Sequence, residues 1–293
     1  MAADRGARTH HGHLVIIGGG EDRVDDKEVL TRFIELSGGT DSKIVVITAA
    51  STIPEKMWET YDQAFGDLGV ANRRPVHIGS RAETNSGATA SLVAEADGIF
   101  MTGGDQKRLL AMIGGSEVDA AMHHALAKRG ACIGGTSAGA SAMSGHMLAD
   151  GTVELAPEKG AVNLGAGLGF LQRVIIDQHF SERHRLARLL SVVAQNPYLH
   201  GIGIDEDTAL IVERGVGIEI IGNGTVTVVD GRNVISNVSD IRNRSTPELI
   251  DVRLHLLPAG SRYSVTGEDG AEVPPDPLKY FIDIITQPTA TQS

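Results

Sequence analysis

The chain has 293 residues, 41% of them hydrophobic and only 4% aromatic, with 36 glycines and a formal net charge of −11. That length holds one large domain or two small ones, and the acidic balance argues against nonspecific nucleic-acid binding, which rests on cationic contacts to phosphate. A single cysteine, Cys132, excludes an intramolecular disulfide, and no apolar run approaches the ~18 residues of a helical membrane span.

Met1 to His13 is polar, and the apolar run behind it, Leu14 to Ile17, is too short for the core of a signal peptide. The expectation is a cytoplasmic protein with a flexible tail over residues 1–13. His10, His11 and His13 read as part of that tail rather than as a metal site.

Leu14–Ile17 reads as a first strand running into Gly18-Gly19-Gly20-Glu21-Asp22. A dinucleotide fingerprint requires glycine where Arg23 stands, so the three glycines signal instead a backbone approaching a ligand or another loop. Asp25 and Glu28 have capping-box spacing, and Val29, Leu30, Phe33 and Ile34 line one face of the helix that follows. Lys43–Thr48 is a second strand, Pro54 starts a second helix, and Pro75–Ile78 is a third strand. A helix over Ser86–Ala96 precedes a fourth strand, Asp97–Met101, which ends in Thr102-Gly103-Gly104-Asp105-Gln106. Helical patterns run from there to Lys128, and Ala131-Cys132-Ile133 is the next buried strand.

Strands alternating with helices predict an α/β fold: a mostly parallel sheet flanked by helices on both faces, with ligands beyond the C-terminal strand ends. Gly151–Phe170 lacks periodicity and reads as a long loop. Arg173–Ile176 is a strand, Leu186, Leu189, Leu190 and Val193 mark a helix face, and Gly201–Ile204 is a further strand. From about residue 208 the pattern becomes strands joined by glycine turns, a β-rich extension. The whole predicts one domain over residues 14–287 with a frayed tail at 288–293.

The chemistry gathers at Gly135-Thr136-Ser137-Ala138-Gly139, a G-x-S-x-G between an apolar run and a small-residue helix start. That is the context of a nucleophile elbow, where a strained turn projects the hydroxyl beyond the sheet. Serine needs a base, and His179 is the best placed histidine, just after a strand. An acid must orient that base; Asp205, Glu206 and Asp207 all follow the next strand, and position alone does not choose among them. Ala138 N–H and a second N–H from the Gly103-Gly104 pair are the candidate oxyanion donors. Arg183, Arg185 and Arg188, close after His179 in an acidic chain, point to recognition of a carboxylate. His179, Glu182 and His184 form H-x-x-E-x-H, one residue too long for a zinc-protease signature, so metal catalysis is disfavoured.

In order and spacing these motifs resemble those of the cyanophycinases over roughly residues 14 to 210. These are serine exopeptidases related to aspartyl dipeptidase (dipeptidase E), with a fold like that of class I glutamine amidotransferases. The resemblance implies Ser137 as nucleophile, His179 as base and Glu206 as the orienting acid, while Gly104 and Ala138 stay the candidate oxyanion donors that the glycine pair and the elbow themselves offer. It implies Gln106, Asp177, Gln178, Arg183, Arg185 and Arg188 in the substrate site. It also implies a homodimer, no metal, no cofactor and one substrate, cyanophycin, a poly-aspartate with arginine on each side chain. The enzyme would release β-aspartyl-arginine. Competing expectations are an aspartyl dipeptidase, a noncatalytic or glutaminase-like scaffold, and a metallohydrolase. A glutaminase of this fold would carry cysteine at the elbow, where this chain has Ser137.

Overall fold

A computed structural model of the chain describes residues 12–152, 155–267 and 270–287. The predicted tail at 288–293, and residues 1–11 of the N-terminal one with His10 and His11, lie outside the described residues. His13 is already strand: it opens β1 (His13–Ile17), and its ring lies 3.7 Å from Glu213.

Strand alternation divides β1 between two cores, Leu14 and Ile16 on one side and Val15 and Ile17 on the other. The helix α1 (Glu28–Leu36) lays Val29, Leu30, Phe33 and Ile34 on the second of these. Its start departs from the expected capping box. Lys27 occupies the N-cap with φ 49° and no side chain caps it, while Asp22 accepts the N–H groups of Val24, Asp25 and Lys27. Those donors, Lys27 first, hold the Asp22 carboxyl well below the usual carboxylate range.

Next come β2 (Ile44–Ile47), α2 (Pro54–Asp67) and β3 (Arg73–Val76). β3 begins two residues before its apolar content suggests, because pairing with the four residues of β2 sets its bounds. Two helices, α3 (Arg81–Thr84) and α4 (Gly87–Ala94), lead to β4 (Gly98–Met101). Then α5 (Gln106–Ile113), α6 (Glu117–His124) and a π-helical turn at Ala125–Arg129 lead to β5 (Cys132–Thr136). The short α7 (Ala138–Ser141) follows Ser137 directly.

Within the expected long loop the chain forms part of a hairpin, β6 (His146–Gly151) with β7 (Val162–Ala166). Both strands are partly exposed and carry a register shift at Leu148/Asp150, so neither leaves a clean alternation in the sequence. The remaining elements are β8 (Val174–Gln178), α8 (Leu186–Gln195), β9 (His200–Ile204), β10 (Thr208–Glu213), β11 (Gly217–Gly222) and β12 (Thr225–Asp230). Two short strands, β13 (Ile235–Ser236) and β14 (Leu249–Ile250), precede β15 (Arg253–Pro258), β16 (Arg262–Ser264) and α9 (Asp276–Thr286).

Among the described residues the large sheet has eight strands in the order β16-β11-β10-β1-β5-β4-β2-β3. Four of its seven pairings are parallel, so the expected mostly parallel sheet carries an antiparallel wing. From β1 to β3 every pairing is parallel; from β1 to β16 every pairing is antiparallel. For β10 and β11 the reason is connection length: a tight turn joins them, which permits only antiparallel neighbours. β8 and β9 leave the large sheet and form a second one, in the order β15-β12-β9-β8.

Helices flank the large sheet on both faces. α1 and α2 cover one, where Phe33, Tyr61, Phe65 and Phe100 form a packed aromatic cluster with ring centroids 4.9–6.1 Å apart. On the other face lie Leu109 and Ile113 of α5, Val118 and Met122 of α6, and Phe281 and Ile285 of α9. Ile176, Ile202 and Val228 of the second sheet join this same core, so the two sheets share buried surface. Among the described residues no helix is long and apolar enough to cross a membrane.

Candidate active site

Register brings the site together. β1 and β5 are parallel neighbours with Ile17 opposite Thr136, so the glycine loop after β1 and Ser137 emerge side by side. The Ser137 N–H donates to Ile17 O at 3.1 Å. β8, in the other sheet, ends where its next residue, His179, donates its N–H to Gly18 O at 2.8 Å. Three strand ends from two sheets thus converge within one loop's reach.

Ser137 has φ 53° and ψ −108°, a backbone that L-residues rarely adopt. The elbow needs small neighbours: a Cβ at Gly139 would lie 2.5 Å from Met101 O, and one at Gly135 2.7 Å from the Gly139 backbone. From this turn Ser137 Oγ lies 2.9 Å from His179 Nε2. The other ring nitrogen, Nδ1, lies 2.5 Å from Glu206 Oε1. With Glu206 accepting from Nδ1–H, Nε2 is left free to take the serine proton.

The structure separates the three candidate acids. Glu206 alone meets the imidazole. Asp205 Oδ2 accepts from the N–H and hydroxyl of Thr225, and its Oδ1 accepts from Ser181 N–H. Asp207 accepts from Asp22 N–H and the Asn223 amide, and its own N–H donates to Gly19 O.

The Gly18–Gly20 loop lies against these groups. A Cβ on Gly19 would sit 2.3 Å from His179 Cε1, and one on Gly20 3.0 Å from Glu206 Oε2. Of the two readings of the glycine run, approach to another part of the chain is the one the structure displays. Glu21, which sequence reasoning passed over, is 2% exposed; it accepts hydrogen bonds from Tyr61 Oη and, at 2.5 Å, from Thr136 Oγ1.

Gly103 lies over the elbow: a Cβ there would be 3.5 Å from Ser137 Cβ. Gly104 has φ 147° and is solvent-exposed, and Ala138 is the first residue of α7. Gln106 opens α5, and its side-chain amide donates to Leu148 O and Ala149 O at the irregular point of β6.

The remaining predicted substrate residues divide. Asp177, Arg185 and Arg188 are 1%, 7% and 6% exposed and are occupied with one another. Arg188 Nε donates to Asp177 Oδ2 at 2.6 Å while its Nη2 donates to Oδ1, a bidentate pair. Arg185 Nη1 donates to Asp177 Oδ1 at 3.2 Å and to both oxygens of Gln178. Burial first, then the neighbouring guanidinium groups, pull Arg185 down to about 10 against the attraction of Asp177. The expectation of three arginines facing a ligand carboxylate is therefore corrected for two of them: the carboxylate they hold is Asp177. Arg183 is exposed in the turn before α8. Glu182 and His184 are exposed in the same turn, and among the described residues no cluster of three or more His, Cys, Asp or Glu side chains is placed to hold a metal ion.

Residues 14–220 match the model of peptidase family S51. The chain belongs to peptidase family S51. Membership makes it a hydrolase of the serine-peptidase kind. Among similar proteins, the cyanophycinase of Geminocystis herdmanii is 37% identical over 252 residues, covering 86% of this chain and 93% of the relative. The cyanophycinase of Synechococcus elongatus is 37% identical, covering 87% and 80%, and that of Trichormus variabilis 34% identical, covering 85% and 84%. A crystal structure of a peptidase from an acI-B1 actinobacterium shares the fold, with TM-score 0.64 at 21% identity over 87% of this chain and 98% of its own. A putative peptidase E from Listeria monocytogenes EGD-e aligns with TM-score 0.51 at 20% identity over 72% of this chain and 98% of its own.

Proposed function

We propose that this S51 peptidase degrades cyanophycin from a chain end, cutting α-peptide bonds of the poly-aspartate backbone and releasing β-aspartyl-arginine. The observation that carries the chemistry is the unbroken contact from Ser137 Oγ through the His179 ring to Glu206 at a strained strand end. The substrate is supported by relatives named cyanophycinase that align with 85–87% of the chain.

Ser137 Oγ attacks the α-carbonyl carbon while His179 Nε2 takes its proton. Glu206 keeps the Nδ1 proton in place and stabilises the imidazolium. The N–H groups of Ala138 and Gly104 donate to the developing oxyanion. His179 then protonates the leaving amine, and water hydrolyses the acyl-enzyme by the same route reversed. No cofactor enters these steps. Arg183, the exposed member of the arginine cluster, presents its guanidinium to a carboxylate of the substrate. Asp177, Gln178, Arg185 and Arg188 shape the wall behind it, and Gln106 borders the mouth. We place this chemistry on a scaffold of the class I glutamine amidotransferase kind, with a β-rich C-terminal extension, in a cytoplasmic homodimer.

The test is incubation of the purified protein with insoluble cyanophycin and mass spectrometry of the soluble products, with Ser137→Ala alongside. β-Aspartyl-arginine from the wild type alone is the expected result. Hydrolysis of aspartyl dipeptides without release from the polymer would move the assignment to the dipeptidase branch. Undiminished release by Ser137→Ala would end the serine mechanism.

A further inference from the structure

The loop that packs on the base and the acid is a run of three glycines, so it has no side chains of its own to hold it. Glycine has the most backbone freedom to lose, and such a run keeps one shape only when its neighbours impose it. Backbone hydrogen bonds fix part of it: Gly18 N–H donates to Thr208 O at 3.0 Å, and Gly19 O accepts from Asp207 N–H at 2.9 Å. The next residue, Glu21, supplies a side chain. It turns inward and is buried, with one carboxylate oxygen on the hydroxyl of Thr136 and the other on that of Tyr61. Thr136 is the last residue of β5 and is bonded directly to Ser137.

We infer that Glu21 is a positioning residue for the reaction, clasping the loop that seats His179 and Glu206 to the strand end that carries Ser137. Both halves of the site then share one tether. Gly19 meets the His179 ring and Gly20 the Glu206 carboxylate, while Thr136 sets where the Ser137 backbone emerges. Tyr61, fully buried in the aromatic cluster, anchors the tether from behind. Burial, and then the Glu21 charge, push the Tyr61 hydroxyl well above its ordinary pKa, which keeps it a donor. The arrangement uses each oxygen once. A carboxylate accepts from both hydroxyls at once, whereas the amide of Glu21→Gln accepts from one and must donate to the other, which reverses that hydroxyl.

The inference rests on the Ser137–His179–Glu206 reading above, and the experiment separates the two. Wild type, Glu21→Gln, Thr136→Val and the double variant are compared for kcat and KM on cyanophycin. The same four are compared for the rate at which Ser137 is phosphonylated by a serine-directed reagent, and for Tm. The variants match the native side chains in size, so the backbone path is preserved. A displacement of about 1 Å at a reacting group costs on the order of 10²-fold. We therefore expect kcat to fall ~10–100-fold in each single variant, with KM changed by less than about 3-fold. Phosphonylation should slow in step. Because both substitutions act on the same Glu21–Thr136 contact, the double variant should be no slower than the slower single one. Unchanged kcat in both single variants, even with lowered Tm, would overturn the inference and leave Glu21 a structural residue; so would losses that multiply in the double variant. If Glu21→Gln does not fold, Thr136→Val decides alone by the same criterion. A wild type that neither turns over nor reacts with the reagent condemns the triad reading itself.

Discussion

Gly19 and His179 exclude any side chain between them: a Cβ on Gly19 would stand 2.3 Å from Cε1 of the imidazole, and the Gly19 backbone has φ 98°. Gly19→Ala therefore meets both a steric clash and a strained backbone, and the ring must swing out of line with Ser137. We expect kcat to fall by about 10²-fold or more while secondary structure by circular dichroism is retained. Activity within twofold of wild type would show that the ring has another productive seat.

The Glu206 side chain is 40% exposed, yet its Oε1 is 2.5 Å from His179 Nδ1. The orienting role proposed for it is separable from its charge. Glu206→Gln keeps the shape and presents a donor in place of an acceptor, which favours the wrong tautomer. A loss of roughly 10³–10⁴ in kcat is expected, by analogy with other triads. Steady-state kinetics on both Glu206→Gln and Glu206→Asp would check it; equal, small losses would reassign the acid.

Arg188 and Arg183 should behave oppositely, although only five positions separate them. Arg188→Met takes the bidentate partner from the buried Asp177 carboxylate and leaves it Arg185 alone as a cation, so the loss should approach the about 3–5 kcal/mol of a buried pair broken from one side. Arg183→Ala removes an exposed guanidinium and should leave Tm nearly unchanged while raising KM. Thermal melts and kinetics on the two variants decide this. A stable Arg188→Met enzyme with raised KM would return that arginine to direct substrate contact.

His200 is buried at the far end of the second sheet, with neither ring nitrogen hydrogen-bonded among the described residues. Tyr280 and Phe281 face it with ring centroids at 5.7 Å, Asp230 lies 3.7 Å away, and Arg232 and His255 act on it electrostatically. Burial is the largest influence and lowers its pKa, against the attraction of Asp230. The unfolded chain then binds a proton that the folded chain resists, so stability from this group is present above the ordinary histidine pKa and is lost as pH falls. His200→Phe keeps the ring packing and removes the titration. Its Tm should drop less between pH 7 and pH 5 than that of the wild type, by ~2–4 °C per kcal/mol spared. Parallel Tm curves would dismiss the effect.

The elbow and the strands leading to it were legible because their signals are local: an apolar run, then G-x-S-x-G, then small residues. His179 was legible for the same reason, as a histidine after a strand. Glu21 was not, because its partners Tyr61 and Thr136 stand 40 and 115 positions away and no periodicity links them. The arginine cluster misled in a related way. A basic run beside a candidate base looks like a ligand site, and only the burial of Asp177 at the end of β8 reveals an internal partner. The departure of β8 and β9 into a second sheet was invisible for another reason. Buried parallel strands look alike in sequence whichever sheet they join.

Ser137, His179 and Asp207 all carry positive φ without being glycine; the first two directly follow β5 and β8, the third directly precedes β10, and all three lie around one loop. Backbones held in such regions cost about 1–3 kcal/mol each, against a net stability of ~5–15 kcal/mol for a typical fold. The reaction centre is therefore under tension that the two sheets contain. A comparable share of the molecule's whole margin against unfolding is spent in keeping three residues where they would not rest, and the sheets must be overbuilt to hold them there.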